Sequence, residues 1–268
     1  MSACRTPAEA CRMNFTDTHV HFHFPDYDGD REAAINRSRE AGVELFINVG
    51  TDVESSEASI KLAHQYPFIY ATVGTHPHDA KDAKGEDFKV FERLLKESKV
   101  VAIGEVGLDF FRNLSPAETQ KKVLNRFFEL HRKTKKPLML HIRDAYQEMK
   151  EQVRAELGTS VQGVLHCFSS DRQTMKDFLG LGFYISFAGP LTYKKNDALR
   201  EAFRACPLDR LLFETDAPFL PPQSKRGKRN ESGYLLETAE LGAELRKIPL
   251  EELGRATTEN AKRLFGLE

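Results

Sequence analysis

Eight short apolar runs, each followed by a stretch with helical periodicity, constrain the fold of this chain more than any other feature. Several runs are rich in β-branched and aromatic residues and end at Gly, Pro or Asp, as strands do. Eight strand–helix units in a domain-sized chain of 268 residues predict a closed (β/α)8 barrel. The predicted strands are Phe15–His21, Leu45–Gly50, Phe68–Thr75, Val100–Gly107, Leu138–Arg143, Gly163–Phe168, Phe183–Ala188 and Leu211–Thr215.

An open, doubly wound sheet is the competing fold, because both architectures bury parallel strands on two faces and share one periodicity. No linker or low-complexity segment interrupts the chain, so we predict a single α/β domain over 13–268. The preceding residues, 1–12, contain two arginines but no apolar stretch. This composition argues against a secretory signal and predicts a disordered extension.

Two helices have recognisable features in the sequence. The tetrapeptide SPAE at 115–118 matches a capping box with proline at the first helical position. The stretch that follows would place Val123, Phe127 and Leu130 on one face of a helix. The last periodic stretch, 257–267, predicts a helix that closes the barrel.

Charge and composition are those of an ordinary globular protein. The formal net charge is −1, so any contact with a nucleic acid must be local rather than spread over a whole face. No apolar run approaches the length of a membrane-spanning helix. None of the cysteines forms a C-x-x-C pair, which favours free thiols in a reducing compartment, so we expect a cytoplasmic protein. We also expect the protein to be a monomer. The four cysteines are Cys4, Cys11, Cys167 and Cys206.

Metal-ligating residue types occur at the ends of the predicted strands, where barrel enzymes carry their catalytic groups. His19 and His21 are two apart on a strand, so both imidazoles leave the same face and can converge on a divalent metal. The pair alone is a weak signal, because a polar strand end or a surface cluster gives the same pattern. Its coincidence with similar residues elsewhere strengthens the prediction, since buried unpaired charges are costly. The similar residues are His76, His78, Glu105, His141, His166 and Asp216.

The residues of these types stand in longer motifs, which are DTHVH (17–21), GTHPHD (74–79), GEVGLDFFR (104–112), HIRDA (141–145), HCFSS (166–170), YISFAG (184–189), ETDAPFLPP (214–222) and RGKRNE (226–231). In sequence and in order, these motifs resemble those of the TatD-type metal-dependent deoxyribonucleases, members of the wider amidohydrolase-like barrel group. The resemblance runs from about Phe15 to the C-terminus and leaves out 1–12.

The resemblance implies a role for each ligand, and it implies two divalent cations, with zinc, manganese or magnesium as candidates. Glu105 takes the place of the carbamylated lysine that many relatives in the wider group use. Asp216 is also expected to accept a proton from the attacking water, so Asp216 and Glu105 are the expected catalytic residues. The implied ligands are His19, His21 and Asp216 for one ion, His141 and His166 for the other, and Glu105 as the bridge.

Substrate contacts are predicted around these ligands. Arg143 lies two residues after His141 and offers a bidentate fork for phosphate, with an ion pair to Asp144 or to a helix carboxylate as the alternative. His76 is expected to line the pocket and bind a substrate phosphate, whereas His78 could equally be a capped loop histidine. A basic run after the last strand is expected to add a local positive field, although such runs are often solvated faces. Its cations are Lys225, Arg226, Lys228 and Arg229.

Four other residues receive weaker predictions. Phe110 and Phe111 could stack a nucleobase, with buried packing expected for at least one of them. Asp109 could orient a metal ligand through a hydrogen bond. Cys167 is expected to point away from the site and to pack in the outer layer of the barrel.

The combined features predict a metal-dependent phosphodiesterase that trims single-stranded ends of DNA. A deep site at a barrel mouth favours a splayed strand end over an intact duplex. The enzymatic alternative is an amide or carboxyl-ester hydrolase, such as an aminoacyl-tRNA deacylase, because the same metals polarise carbonyl groups. The non-enzymatic alternative is a binding module with structural metals, which a closed ligand set would indicate.

Overall fold

The computed structural model describes residues 14–267, in which eight parallel strands alternate with helices. The predicted extension 1–12, with Cys4 and Cys11, lies outside the described residues. The strands are β1 Phe15–Val20, β2 Val43–Val49, β3 Ile69–Val73, β4 Val100–Asp109, β5 Leu138–Arg143, β6 Gly163–Leu165, β7 Tyr184–Phe187 and β8 Leu211–Phe213. The α-helices are α1 Arg31–Glu40, α2 Val53–Gln65, α3 Asp87–Leu94, α4 Ala117–Thr134, α5 Tyr146–Leu157, α6 Arg172–Leu179, α7 Asp197–Ala205, α8 Leu235–Arg246 and α9 Leu250–Phe265.

The strands follow one another in the sheet in sequence order, from β1 to β8. The first and last strands then meet, which confirms the barrel and excludes the open sheet. Val20 forms a parallel bridge with Ala217, and Ala217 O accepts a hydrogen bond of 2.8 Å from His21 N. Asp216 N donates to His19 O at 2.9 Å. The closure therefore lies beside the residues with metal-ligating side chains.

A buried carboxylate reinforces this closure. Asp17 Oδ1 accepts hydrogen bonds from the backbone N–H groups of Thr215, at 3.0 Å, and His19, at 3.2 Å. Asp17 Oδ2 accepts from the hydroxyls of Thr215 and Ser232, both at 2.5 Å. Burial raises the pKa of Asp17 to about 7, although all these hydrogen bonds lower it. Asp17 thus ties β1 to the segment that follows β8.

The barrel interior is filled by alternate strand residues. In β2, Asn48 faces outward, because its amide donates to Ser59 of α2, so Ile47 and Val49 point inward. The inward residues form an apolar cluster of their own, which includes Met139, Val164 and Leu212. The C-terminal part of α9 packs on the same cluster with Ala261, Leu264 and Phe265. The prediction of a closing C-terminal helix is therefore confirmed, although α9 begins at Leu250 and not at Thr257.

The predicted capping box is wrong. Pro116 is the N-cap residue and not the first helical residue, the helix begins at Ala117, and no side chain caps its N-terminus. The hydroxyl of Ser115 instead donates to His78 O at 2.6 Å and accepts from Lys81 N at 3.0 Å. Ser115 therefore fastens the loop after β3 rather than α4.

None of the helices described between residues 14 and 267 is long and apolar enough to cross a lipid bilayer.

Candidate metal centre

The six predicted ligands converge at the C-terminal mouth of the barrel, around the carboxylate of Glu105. Its oxygens face two different groups of imidazoles. Glu105 itself is 3% exposed, so its charge is shielded from water and depends on these neighbours. Such an arrangement allows one carboxylate to serve two adjacent cations.

The first group consists of His19, His21 and Asp216. His19 Nε2 lies 3.1 Å from His21 Nε2, 3.3 Å from Glu105 Oε2 and 3.6 Å from Asp216 Oδ1. His21 Nε2 lies 3.4 Å from the same oxygen of Asp216. A tetrahedral ion with ligands at 2.0–2.1 Å needs ligand atoms about 3.4 Å apart, so these spacings fit a metal without rearrangement.

The second group consists of His141 and His166. His141 Nδ1 and His166 Nε2 each lie 2.8 Å from Glu105 Oε1, and they are 3.3 Å from each other. His76 Nε2 is also near, at 3.5 Å from Glu105 Oε1. However, His76 Nδ1 accepts a hydrogen bond from His78 N, so its proton lies on Nε2, which favours a donor over a metal ligand. Burial lowers the pKa of His76 to about 3, so its ring is neutral.

Three of the four candidate imidazoles are oriented by a hydrogen bond on the ring nitrogen that faces away from the centre of the cluster. These three are His21, His166 and His141. His21 Nδ1 lies 2.8 Å from Val49 O, a carbonyl that can only accept, so Nε2 is left without a proton and free to bind a metal. His166 Nδ1 lies 3.1 Å from Glu214 Oε1, which leaves its Nε2 facing Glu105. Glu214 was not predicted to have a role, although it stands in the ETDAPFLPP stretch. The signal available in the sequence was a second carboxylate two residues before Asp216.

Asp109 performs the same task for His141, as predicted. Its Oδ2 lies 3.2 Å from His141 Nε2 and 2.8 Å from His78 Nε2, while Oδ1 accepts from Arg112 N at 2.7 Å. Burial alone would raise the pKa of Asp109, but these hydrogen bonds hold it below its ordinary value. His78 is therefore a loop histidine held by Asp109.

Charges within the cluster keep the carboxylates ionised in spite of burial. Burial would raise the pKa of Glu105, but the charge of His166 and the hydrogen bond from His141 lower it well below its ordinary value. Burial would likewise lower the pKa of His166, but the charges of Glu105 and Glu214 raise it. The cluster thus offers anionic oxygens together with imidazole nitrogens, the ligand set that zinc and other borderline divalent metals prefer.

Local backbone geometry explains why two of these residues lie beyond their strands. β6 ends at Leu165 and β8 at Phe213, earlier than predicted, so His166 and Asp216 stand in the turns. Asp216 has φ of 56°, a left-handed conformation that aspartate tolerates better than most residues. A glycine is also required nearby, because a Cβ at Gly107 would lie 1.9 Å from His141 O.

Cys167 does not follow the prediction. Strand alternation ends at Leu165, and Cys167 adopts φ of 43°, so it does not point into the outer layer. It lines a cavity beside His166, and its backbone N–H donates to Glu214 Oε1 at 2.8 Å. Burial raises the pKa of its thiol well above the ordinary value. Cys167 and Cys206 are both free thiols.

Two cavities open on either side of the cluster. The first has a volume of about 560 Å³ and an apolar part formed by phenylalanine and leucine side chains. The second has a volume of about 720 Å³ and carries hydroxyl, amide and ammonium groups. Both are in the range of about 300–1,000 Å³ typical of small-molecule sites. The residues that line both are His141, Arg143, His166, Asp216 and Leu220.

Arg143 stands at the boundary between the two cavities. Its side chain is exposed, and its guanidinium lies 4.6 Å from the ring centre of Phe111. The structure gives it no ion pair with Asp144 or with a helix carboxylate, so the alternative interpretation is not supported within residues 14–267. Phe110 packs against the core, whereas Phe111 is 60% exposed and lines the first cavity. This division matches the expectation that one of the two rings is packed.

None of the four cations of the basic run is among the residues that line either cavity. Arg229 is bound on both sides, with Asp30 Oδ1 at 2.6 Å and Glu231 Oε1 at 2.9 Å. Lys225 Nζ lies 3.6 Å from Glu237 Oε1, and Arg226 lies over the ring of Tyr193 at 4.7 Å. Lys228 is exposed to solvent.

Fold and cluster together define a barrel hydrolase of the metal-dependent kind, and comparison with known proteins gives the family. Residues 16–266 match the model of the TatD related DNase family. The chain therefore belongs to this family, and the resemblance drawn from its motifs is confirmed.

Individual relatives cover nearly the whole chain. A Bacillus subtilis protein named uncharacterized metal-dependent hydrolase YabD is 40% identical over 249 residues, which are 93% of this chain and 98% of that protein. A protein of Erwinia tasmaniensis named 3′-5′ ssDNA/RNA exonuclease TatD is 36% identical, over 94% of this chain and 99% of its own. The crystal structure of YJJV, a TatD homologue from Escherichia coli, superimposes with a TM-score of 0.90 at 32% identity, covering 95% of this chain and 98% of that one.

Proposed function

We propose that this protein is a two-metal phosphodiesterase that removes nucleotides from single-stranded ends of DNA. The observation that carries the proposal is the carboxylate of Glu105, whose Oε2 faces His19 at 3.3 Å while Oε1 faces His141 and His166 at 2.8 Å. A carboxylate shared in this way, between two imidazole groups, supports a centre for two adjacent cations.

Six residues would hold these ions. His19, His21 and Asp216 would bind one ion, His141 and His166 the other, and Glu105 would bridge them. When bound, the two cations would supply Lewis-acid polarisation of the phosphoryl group and lower the pKa of an attacking water. The ligand types favour zinc or manganese over magnesium on softness.

Asp216 is the proposed proton acceptor. Burial would raise its pKa, but the charge of the nearby His166 lowers it, so the carboxylate is ionised and can accept a proton. Its side chain is 13% exposed and lines both cavities, which puts it within reach of water and of a substrate phosphate. A general base must have this access.

Cationic and donor groups around the cluster support a phosphate over an amide as the substrate group. Arg143 lines both cavities, Arg112 the first and Lys195 the second. The Nε2–H of His76 points toward the same centre, 3.5 Å from Glu105, and could donate to a phosphate oxygen. The name of the Erwinia tasmaniensis relative, an exonuclease of single-stranded DNA and RNA, agrees with this choice.

The test is a comparison of substrates on the reconstituted enzyme. Metal-free protein is loaded separately with zinc, manganese or magnesium, and end-labelled single-stranded DNA, RNA, duplex DNA and an aminoacyl-tRNA are offered side by side. We expect stepwise shortening of single-stranded DNA and two equivalents of metal in the active form. Release of the amino acid without shortening of any nucleic acid would overturn the proposal in favour of a carboxyl-ester hydrolase.

A further inference from the structure

The most exposed large apolar side chains within residues 14–267 are gathered at one opening. Phe111, Leu114 and Phe219 are 60%, 53% and 48% exposed, and all three line the first cavity. Single exposed apolar residues are ordinary, but three around one opening beside metal ligands mark a binding surface. We infer that this apolar rim, Phe111, Leu114 and Phe219, binds the unpaired nucleobase of the terminal nucleotide. The inference rests on the proposed function.

The position of Phe219 connects the rim to the metal centre. Phe219 N donates a hydrogen bond of 2.8 Å to Asp216 O, so the two residues belong to one tight turn. The ring of Phe219 lies 6.1 Å from that of His21 and 6.0 Å from that of Phe24, centre to centre. A base on this ring would hold its own phosphate close to Asp216, the proposed proton acceptor.

Arg143 makes the rim suited to a nucleotide rather than to a purely apolar partner. Its guanidinium covers one face of Phe111 at 4.6 Å, and the same side chain borders both cavities. An aromatic surface with a cation at its edge matches a base joined to a phosphate. Neither a lipid surface nor a second copy of this chain would account for an apolar rim with a cation at its edge beside the candidate metal centre.

The second cavity differs from the first in its chemistry, so the two cavities would hold different parts of the bound strand. It has hydroxyl groups on Tyr146, Ser169 and Tyr193 and an ammonium group on Lys195, but lacks a rim of exposed apolar residues among those described. Such a surface suits the sugar–phosphate backbone of the retained strand. The cleaved bond would lie between the cavities, with the departing nucleotide on the apolar side. Because stacking tolerates every base, the rim selects unpaired ends and not a sequence.

The test removes the base and the rings in turn. Two oligonucleotides are compared, one with a natural terminal base and one with an abasic terminal nucleotide, on wild-type enzyme and on the double variant Phe111→Ala with Phe219→Ala. Initial rates give kcat/KM, and anisotropy of the labelled strand gives binding. For the wild type we expect the abasic end to reduce kcat/KM and binding about 10-fold, the usual contribution of one base–aromatic stack. In the double variant this difference should vanish.

Two further variants separate stacking from structural damage. Phe111→Tyr with Phe219→Tyr keeps both rings and should keep the preference for a natural base. Lys195→Ser, in the second cavity, should weaken binding of both oligonucleotides equally.

Wild-type enzyme that shortens both oligonucleotides at the same rate would overturn the inference and leave the nuclease function intact. So would a double variant that keeps the 10-fold preference. A wild-type enzyme that is dimeric in solution, together with a double variant that is monomeric and keeps the preference, would overturn the inference and assign the rim to contact between copies. Failure to shorten either oligonucleotide under any metal would overturn the proposed function itself.

Discussion

The ends of the strands and the basic run after β8 contain equally polar residues, yet the structure uses them differently. At the strand ends, imidazoles and carboxylates from distant parts of the sequence converge to within 2.8–3.6 Å of one another. In the basic run, Arg229 is bound by Asp30 and Glu231, and none of these three residues lines either cavity. Residue type alone therefore does not make a site. The direction that the backbone gives to each side chain does.

Glu105→Ala has the largest expected effect on the strand-end group. Without the carboxylate, the two imidazole groups lose the anion between them, so binding of both cations weakens. We expect activity to fall by at least about 1,000-fold, because metal activation of the phosphate is lost. Metal analysis after dialysis should give fewer than two equivalents, while circular dichroism stays that of the wild type. Full activity in a metal-replete variant would contradict the two-metal centre.

Asp216→Asn comes next, because it separates metal binding from proton transfer. The amide keeps one oxygen for a cation but cannot accept a proton. We expect a rate loss of about 10²–10⁴-fold with most of the metal retained, the usual contribution of a general base. Asp216→Ala should also lose metal. Near wild-type turnover by a fully loaded Asp216→Asn enzyme would assign the base role to another residue.

Glu214→Gln tests whether metal affinity at the strand ends depends on a residue that contacts a candidate ligand, His166, but would not itself bind a metal. The change weakens the contact of 3.1 Å to His166 Nδ1 without altering the size of the side chain. We expect metal affinity to fall about 10- to 100-fold, as for other carboxylates behind a histidine ligand. Titration with zinc measures this directly. Glu237→Gln, at a carboxylate that faces Lys225 and not the cluster, is the matched control and should not change metal affinity.

Arg229→Ser has the smallest expected effect, and it tests the other half of the comparison. Because Arg229 belongs to an outer ion-pair network, its loss should lower the free energy of unfolding by about 1 kcal/mol. The salt dependence of DNA binding should not change. Arg143→Ser should instead make that dependence shallower by about 0.7 in log–log slope, one phosphate contact on a single strand. If Arg229→Ser flattens the slope and Arg143→Ser does not, the basic run binds DNA after all.

Much of the fold was predictable because strand and helix periods alternate without interruption. The positions of His19, His141 and the other ligands followed from barrel geometry, in which strand ends face one mouth. Their functional roles remain predictions, as does the role of the basic run.

The predictions for Ser115 and Cys167 were wrong, and the ion-pair partners of Arg229 could not be predicted, because these features depend on contacts between distant segments or on where a strand ends. The partners of Arg229 include Asp30, 199 positions earlier, and no local pattern indicates that pair. Ser115 has a capping sequence, but the hydroxyl is taken by His78 O. Cys167 escaped strand alternation because β6 is only three residues long. In each case a tertiary contact or an early strand end overrides the local signal.

The closure at Asp17 has a consequence for how the protein is made. Asp17 and His19 reach their hydrogen-bond partners only when Thr215 and Asp216 are present, across 198 positions in the case of Asp17 and Thr215. Glu105, His141 and His166, in contrast, come from three consecutive strand units. On the ribosome we therefore expect the second group of ligands to be able to assemble first. The group of His19, His21 and Asp216 must wait until synthesis has passed β8, and contacts of this range also slow folding.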